Sequence, residues 1–420
     1  MDKKKSHILK AMVLVSLVLF GLRFGSNILA KGPIFDEQYI LVPIQNLMDS
    51  GWSVNTAIDF EETKGPAMIW PYAAFGKLLG GSLQDLRLVS IFASIFSCLI
   101  LLAIASQSEI RKNSLFLVAI GWLLIPYNIV FSQIVMGEAS YLLLAFFVVY
   151  AYFWSTKTEH SFGAWLGPML YLIALAIAMH SRIHIVAVAG AICIVAYMHE
   201  GKSSWPWWLA TLLAGALRIP LWIRWGGLVS PDYQSLHGLG FRLEGVAYLA
   251  AALFPFVGIF ILDKLRDAKN IFWMCIAFSL GFALVMISQP DLTIPSTIDY
   301  ASPNERFQGI IATAVQLISS DTLIQQLALA LFAGLGLAGL SSLIYSTRKS
   351  SRISTIAAWS LLLGWGLYAF TRGFVFDRFI LTWAFLLPFV YVNTLAKRYL
   401  FIQYAALALI AIRLTMLWLF

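Results

Sequence analysis

The chain has 420 residues, of which 60% are hydrophobic and 12% are charged, and its mean hydropathy is +0.81. In soluble globular domains about half of the residues are apolar and about a quarter are charged. This composition therefore excludes a water-soluble globule and predicts a polytopic membrane protein. The net charge of +8 does not indicate a nucleic-acid partner, because the basic residues of a membrane protein mostly lie in its cytoplasmic loops.

Apolar windows long enough to cross the hydrocarbon core, about 20 residues, follow one another along the chain. The first begins at Ile8, after Lys3, Lys4 and Lys5. It is too long for the hydrophobic region of a signal peptide and no small-residue cleavage pattern follows, so we predict a retained span with the amino terminus inside. The sequence predicts thirteen spans, near 8–29, 88–107, 115–134, 137–154, 164–181, 183–199, 206–223, 244–262, 271–288, 323–345, 353–370, 379–395 and 400–420.

The charges between these windows predict the orientation of the chain. Connectors with basic residues such as Arg111, Lys112 and Lys202 are short, which is typical of the cytoplasmic face. The opposite, extracytoplasmic face collects acidic residues and the longer segments, and long ordered segments usually serve a function because ordering them costs conformational entropy. With no internal repeat, we predict one transmembrane domain over residues 1–420, with outer segments at 31–87, 224–243 and 289–322.

Two adjacent carboxylates, Asp36 and Glu37, lie just after the first span, and Tyr39 follows them. Neighbouring residues of a helical turn point about 100° apart, so the two acids face different partners. One would act as a base and the other would organise the site, since a carboxylate partly withdrawn from water has a raised pKa that suits it to take a hydroxyl proton. The alternative is a solvated pair at a helix start, where the helix dipole favours anions.

A polar stretch that runs into an apolar one follows, with Lys64, Gly65 and Pro66 before Trp70 and Tyr72. An ammonium group suits a phosphate oxygen, and the glycine and proline fix a turn that aims it. The two aromatic rings would line an apolar groove or stack on a sugar ring. The alternative is that the lysine snorkels to the interface and that the rings belong to an ordinary interfacial belt.

The order of these motifs resembles that of the GT-C glycosyltransferases, in the branch that contains the lipid A aminoarabinose transferases and the protein O-mannosyltransferases. The matching features are Asp36-Glu37 with Tyr39, the Lys64-Gly65-Pro66 turn with its aromatic run, Arg87-Leu-Val-Ser90 at the start of the second span, Glu138 in the next outer turn, and Arg378-Phe379 with Pro388 in the late span. The resemblance is closest over residues 1–155. The family commonly has Pro-Pro after the lysine, where this chain has Gly65-Pro66, and a tyrosine where it has Phe379.

The resemblance implies an all-α bundle of about thirteen transmembrane helices, with interfacial helices in the first outer loop. It implies an inverting transferase that moves a sugar from a polyprenyl-phosphate donor to an acceptor hydroxyl on a cell-envelope glycan, lipid or protein. Asp36 would be the catalytic base, with Glu37 beside it, and Lys64 would bind the donor phosphate. The location implied is the extracytoplasmic face of a bacterial plasma membrane, and we expect a monomer.

A leaving phosphate also needs an arginine, and the candidates are Arg218, Arg224, Arg378 and Arg182. Arg218 lies inside the seventh predicted span, where a cation costs a few kcal/mol unless it is paired or faces water. We take Arg218 and Arg378 as phosphate ligands and Arg182 as supporting. Supporting roles also fall to Tyr39, Trp70, Tyr72 and Glu138, the last of which would hold Asp36, a loop amide or a metal.

The sequence indicates no cofactor or metal site, and a divalent cation stays open. His180 and His184 have the i, i+4 spacing of metal ligands but no third ligand accompanies them. The main rival is a multi-pass transporter or flippase, which ordinarily has related halves and broken spans that meet at mid-membrane. A noncatalytic scaffold would explain the spans but not the acidic pair and Lys64. The sugar, the acceptor and the carrier length are not indicated.

Overall fold

A computed structural model of the chain describes residues 3–34, 36–51, 53, 55–56, 60, 64–108, 114–156, 161–234, 237–265, 267–292, 307–348, 350–373 and 375–420. Parts of all three predicted outer segments lie outside the described residues, namely 35, 52, 54, 57–59 and 61–63 in the first, 235–236 in the second and 293–306 in the third, and so do the basic residues Arg111 and Lys112. Contacts between backbone positions divide the chain into two compact units. The first contains residues 1–232 and 408–420, and the second contains 233–407.

In the described part of the first unit, all regular secondary structure is helical. Its helices are α1 (Lys3–Gly25), α2 (Glu37–Ser50), α3 (Trp70–Leu79), α4 (Leu83–Gln107), α5 (Leu115–Leu124), α6 (Asn128–Phe131), α7 (Glu138–Ser155), α8 (Ser161–Ser181), α9 (Val186–Glu200), α10 (Trp205–Ala216) and α11 (Ile219–Trp225). Short 3-10 turns occur at Asn27–Leu29, Pro66–Met68, Ile183–Ile185, Gly201–Ser204 and Pro231–Tyr233.

The second unit is also mainly helical. Its helices are α12 (Leu243–Val257), α13 (Ile259–Lys264), α14 (Ala268–Ser288), α15 (Ile310–Ile318), α16 (Thr322–Thr347), α17 (Arg352–Leu367), α18 (Leu381–Ala384), α19 (Leu387–Thr394) and α20 (Lys397–Leu419), the last of which ends in the first unit. Two short sheets accompany them: β1 (His237–Leu239) pairs antiparallel with β3 (Thr371–Gly373), and β2 (Phe307–Gln308) pairs parallel with β4 (Val375–Phe376). The predicted all-α class is confirmed.

Eight helical stretches of the described chain are long and apolar enough to cross a membrane, and 183–225 is one of them. That stretch contains two of the predicted windows, so these helices account for nine of the thirteen. Three more windows coincide with the shorter apolar helices Leu115–Leu124, Trp165–Ser181 and Leu243–Val257. The chain is therefore an integral membrane protein with helix in every predicted window. In several windows the helix is shorter than predicted or is broken.

Prolines account for the breaks. A proline lacks an N–H group and clashes with the carbonyl group four residues before it. Accordingly α10 ends at Ala216, four residues before Pro220, and α18 ends at Ala384, four residues before Pro388. In the third window Ile125, which precedes Pro126, adopts an extended ψ of 125°, as residues before proline prefer. The continuous helices predicted for 115–134, 206–223 and 379–395 are therefore corrected to broken ones.

Close helix packing in the second unit depends on glycine. A Cβ atom at Gly336 would lie 1.9 Å from the carbonyl oxygen of Ala250, and one at Gly281 would lie 2.4 Å from the carbonyl oxygen of Ala333. α16 thus approaches both α12 and α14 at backbone distance, as small residues allow in membrane bundles. The polar side chain of Asn270, which donates to Ser342 Oγ at 3.0 Å, lies in the same buried contact.

Candidate active site

The first helix after the opening span begins at the two predicted acids. Asp36 is the N-cap residue of α2, and its side chain makes no capping hydrogen bond. Its backbone carbonyl instead accepts the N–H groups of Tyr39 and Ile40, at 3.0 and 3.1 Å. The carboxylate is therefore not used to start the helix, and its side chain is 25% exposed. This leaves an acid held at a helix start but reachable from outside.

Glu37 is in the opposite situation, because it is fully buried. Its carboxylate forms a bidentate pair with Arg87, with Nε to Oε1 at 2.9 Å and Nη2 to Oε2 at 2.6 Å. Both side chains have 0% exposure. The carboxylate also accepts the backbone N–H groups of Ile34 and Val135, each at 2.8 Å. With both oxygens so engaged, Glu37 organises the site, and a catalytic role for it as a base does not fit this geometry.

Arg87 joins the start of α4 to the end of the first span. Its Nη1 donates to the carbonyl oxygens of Ile28 and Lys31, at 2.7 and 2.9 Å, and its Nη2 donates to that of Gly32 at 2.8 Å. A guanidinium group can be buried only when its donors are satisfied in this way. The loop that carries Asp36 is thereby fixed from both sides, through Glu37 and through its own carbonyl groups.

Ser90, the last residue of the Arg-X-X-Ser pattern, makes contacts different from those of Arg87. Its hydroxyl lies 2.9 Å from the hydroxyl of Tyr72 and donates to the carbonyl oxygen of Ile134 at 2.7 Å. Tyr72 has 0% exposure, and burial, followed by the charges of Glu138 and Glu37, raises the pKa of its phenol. The ring is thus packed inside the unit, and the prediction that it lines a groove or stacks on a sugar is corrected.

Lys64 lies next to Asp36 in the structure. The Lys64 Nζ lies 3.8 Å from Asp36 Oδ2, and the lysine side chain is 8% exposed. The two residues are distant in sequence and are joined by the fold alone. The fold therefore brings a carboxylate and an ammonium group, the predicted base and the predicted phosphate ligand, into one small region.

Gly65 explains how Lys64 is aimed. Its backbone N–H donates to the carbonyl oxygen of Ser181 at 2.8 Å. A Cβ atom at this position would lie 1.9 Å from the carbonyl oxygen of His180 and 3.1 Å from Nη1 of Arg218. Only glycine permits this approach to the end of α8. The departure from Pro-Pro thus has a packing reason, and it brings the residue next to Lys64 against an arginine.

Arg218 is the candidate arginine that the fold places beside Gly65, the residue that follows Lys64. It is 3% exposed, within the candidate span 183–225. Its Nε and Nη1 are buried without a hydrogen-bond partner among the described residues, and its guanidinium carbon lies 5.8 Å from the ring centre of Trp222. Buried donors normally have partners, and an exception calls for an explanation. An anion is the group that these donors would bind.

Glu138 forms an ion pair with Arg182, and both are almost fully buried. The sequence had offered Asp36, a loop amide or a metal as its partner, and the structure provides the arginine instead. Next to this pair, Ser140 donates to the carbonyl oxygen of Met68 at 2.8 Å. The ends of α7 and α8 are therefore tied together, and each also holds the turn that follows Lys64.

For the remaining predicted residues the structure gives mainly their exposure. Tyr39 is 39% exposed, Trp70 is partly buried and Arg224 is exposed. His180 Nδ1 contacts the carbonyl oxygen of Ala176 at 2.8 Å, and among the described residues no group of three or more His, Cys, Asp and Glu side chains could hold a metal ion.

Arg378 belongs to the second unit. It is 6% exposed, and its guanidinium carbon lies 4.4 Å from the ring centre of Phe376 and 5.9 Å from that of Phe379. The preceding residue, Asp377, accepts the backbone N–H groups of Ile310 and Ile311 at the start of α15. The segment that carries Arg378 is thus fixed to α15 within its own unit.

Sequence reasoning missed three contributors. It treated Gly65 only as a turn residue, it assigned nothing to Ser181, whose carbonyl group receives the Gly65 N–H, and it did not pair Arg87 with Glu37. The Arg87 signal was available, because an arginine directly before an apolar window can be buried only with a partner. Nothing in the sequence singles out the Ser181 carbonyl group.

Comparisons with known proteins give two similar structures. No protein-family model matches the chain, and no curated protein sequence does. The chain is similar to the protein O-mannosyltransferase complex of Saccharomyces cerevisiae bound to the sugar donor, with 18% identity and a TM-score of 0.43 over 58% of this chain and 36% of that chain. It therefore spans about a third of the yeast chain. It is also similar to ArnT from Cupriavidus metallidurans in the apo state, with 12% identity and a TM-score of 0.40 over 90% of this chain and 72% of that chain.

Proposed function

We propose that this protein is an inverting glycosyltransferase that moves a sugar from a polyprenyl-phosphate donor to an acceptor hydroxyl at the extracytoplasmic membrane face. The acceptor would be a cell-envelope glycan, lipid or protein, and the protein would act as a monomer in a bacterial plasma membrane. The observation that carries the proposal is the 3.8 Å contact between Asp36 and Lys64, with the buried guanidinium of Arg218 against Gly65.

Asp36 is the group suited to remove the acceptor proton. Its carboxylate is partly exposed and makes no capping hydrogen bond, so a hydroxyl group can reach it. In the proposed step the Asp36 carboxylate takes the hydroxyl proton while the acceptor oxygen attacks the anomeric carbon. The bond from that carbon to the phosphate oxygen breaks on the opposite side, which inverts the configuration. The released phosphate keeps the bonding electron pair.

Lys64 and Arg218 are suited to stabilise the departing phosphate. Cations fixed where negative charge develops lower the barrier without any reorganisation at the moment of reaction. Lys64 provides a compact charge, and Arg218 provides buried N–H donors that have no partner among the described residues. Arg378 is a further proposed phosphate ligand, on the strength of the motif that contains it. No covalent enzyme intermediate is needed, because positioning and charge supply the catalysis.

Two buried ion pairs support this arrangement. Glu37 with Arg87 fixes the loop before Asp36, and Glu138 with Arg182 joins the helix ends that hold the turn after Lys64. A displacement of about 1 Å in a catalytic group can cost about a hundredfold in rate. We therefore assign Glu37, Glu138 and Arg182 as positioning residues. Tyr39 and Trp70 stay as proposed supporting residues.

The test compares cell-envelope glycans, by mass spectrometry, in source cells that lack the protein and in the same cells given back the wild type or a variant. Asp36→Asn should fail to restore the missing sugar, because an amide takes up no proton at neutral pH. Asp49→Asn is the matched control. Asp49 lies on the same helix α2, is exposed, and accepts hydrogen bonds from the side-chain amide of Gln45 at 3.0 Å.

Restoration of the glycan by Asp36→Asn would refute the assignment of the base. An unchanged glycan profile in cells without the protein, together with solute transport in vesicles that contain it, would favour the transporter instead. Reaction in vitro with farnesyl-phosphate mannose and a farnesyl-phosphate pentose, scored by release of farnesyl phosphate, then tests the donor class directly. Farnesyl diphosphate mannose, which has one more phosphate group, serves as the comparison donor.

A further inference from the structure

The acid–base pairs of the first unit differ in how firmly they are held. The pair of Glu37 and Arg87 is bidentate, at 2.6 Å and fully buried, and that of Glu138 with its arginine is almost fully buried. The contact between Asp36 and Lys64 is longer, at 3.8 Å, and the acid is 25% exposed. A separation of 3.8 Å is too long for a direct hydrogen bond, so of these three pairs this is the one whose partners can be exchanged at least cost.

A phosphate group that enters here would compete with Asp36 for the same cation. Lys64 is 8% exposed and carries a compact charge on a flexible stem, so it can turn from one anion to another. A carboxylate within this distance of the ammonium also repels an incoming phosphate. The two anions therefore oppose each other at one site.

We infer that the pair of Asp36 and Lys64 is an exchangeable latch, in which the donor phosphate takes Lys64 from Asp36. This inference rests on the proposed function. Without the donor, the ammonium group of Lys64 lies against the Asp36 carboxylate. Once the phosphate holds Lys64, the carboxylate can turn to the acceptor hydroxyl instead. Binding of the donor therefore makes Asp36 ready to act as the base. The donor binds before the acceptor hydroxyl is deprotonated.

Arg218 provides a first contact for the phosphate. Its Nη1 would lie 3.1 Å from a Cβ atom on Gly65, and no carboxylate among the described residues lies within ion-pair distance of it. Its Nε and Nη1 are buried and lack partners in the described part of the chain. A headgroup can bind these donors while Lys64 is still on Asp36, after which the lysine follows. Binding and exchange are therefore separate events on adjacent residues.

The test measures the affinity of purified protein in lipid nanodiscs for farnesyl phosphate. The two anions compete for Lys64, so phosphate binding and the contact between Asp36 and Lys64 weaken each other by the same factor. Removing the Asp36 carboxylate should therefore strengthen phosphate binding by that factor. Asp36→Asn and Asp36→Ala should each bind farnesyl phosphate on the order of tenfold more tightly than the wild type. Asp49→Asn, which removes an equal charge from the same helix, should bind as the wild type does. Farnesol, which has no phosphate, should not distinguish these proteins.

Equal or weaker binding of farnesyl phosphate by both Asp36 variants would overturn the latch. Lys64→Gln separates this outcome from failure of the proposed function. If Lys64→Gln loses binding while the Asp36 variants gain none, the phosphate site stands and only the latch fails. If Lys64→Gln binds as tightly as the wild type, the proposed phosphate site itself is wrong. Tighter binding by Asp49→Asn as well would show a general charge effect and would also refute the latch.

Discussion

Gly65→Ala is the substitution that most directly tests how Lys64 is positioned. The new Cβ would lie 1.9 Å from the carbonyl oxygen of His180, whereas ordinary contact begins at 3.4 Å. The turn must therefore move by roughly 1.5 Å, because the obstacle is a backbone atom at the end of α8. Such a move breaks the 2.8 Å hydrogen bond from the Gly65 N–H to Ser181 and carries Lys64 away from Asp36.

Two magnitudes follow from this displacement. Overpacking costs about 1–3 kcal/mol and the lost hydrogen bond costs about 1 kcal/mol, so the unfolding midpoint should fall by about 4–16 °C for a unit of this size. A catalytic group moved by more than 1 Å should lose about a hundredfold in transfer rate. The variant should therefore still be folded at the assay temperature while its transfer rate is about a hundredfold lower.

The assays are sugar transfer and thermal unfolding of the purified protein in nanodiscs. Gly215→Ala is the matched control, because a Cβ at Gly215 in α10 would meet nothing within 4 Å. It should retain the wild-type rate and unfold at the same temperature or slightly above it, since alanine favours helix. A wild-type transfer rate in Gly65→Ala would refute the reasoning that this glycine positions Lys64.

Three further substitutions separate structural from chemical roles. Glu37→Gln should destabilise the protein by about 3–5 kcal/mol, because it leaves the buried Arg87 charge without its partner, whereas Asp36→Asn should leave the unfolding temperature unchanged; equal effects on unfolding would contradict the distinction between the two acids. Tyr72→Phe should cost about 1 kcal/mol of stability and leave the pH profile of transfer unchanged below pH 9. Because the pKa of Tyr72 is raised, the stability that the neutral phenol contributes is complete below the unfolded pKa of about 10 and is lost only as the pH rises through the folded pKa. A shifted pH profile near neutrality would contradict this expectation. Asp377→Ala should speed hydrogen exchange in α15, whose first N–H groups Asp377 accepts, by an amount that reflects about 1 kcal/mol of lost capping, while Asp321→Ala should act on the start of α16 alone.

The sequence predicted most of the fold because membrane spans are a local property. A window of about 20 apolar residues is sufficient to indicate a helix wherever it occurs, and helix is present in every predicted window. The broken helices were missed at positions where the signal was also local. Pro126, Pro220 and Pro388 stand in three predicted windows, and their effect on the preceding turn follows from covalent geometry.

For the candidate site, the sequence indicated the chemical groups but not their partners. The order of motifs together with residue type selected Asp36 and Lys64, and the cost of a cation inside an apolar span selected Arg218. Only the tertiary structure decided which acid is fully buried and which is partly exposed, since the contact of Glu37 with Arg87 and that of Asp36 with Lys64 each join residues far apart in the chain. Pairing over such distances depends on how helices pack, and packing is a property of many side chains at once. The sequence therefore determined the helices and the candidate groups, and the fold determined their partners.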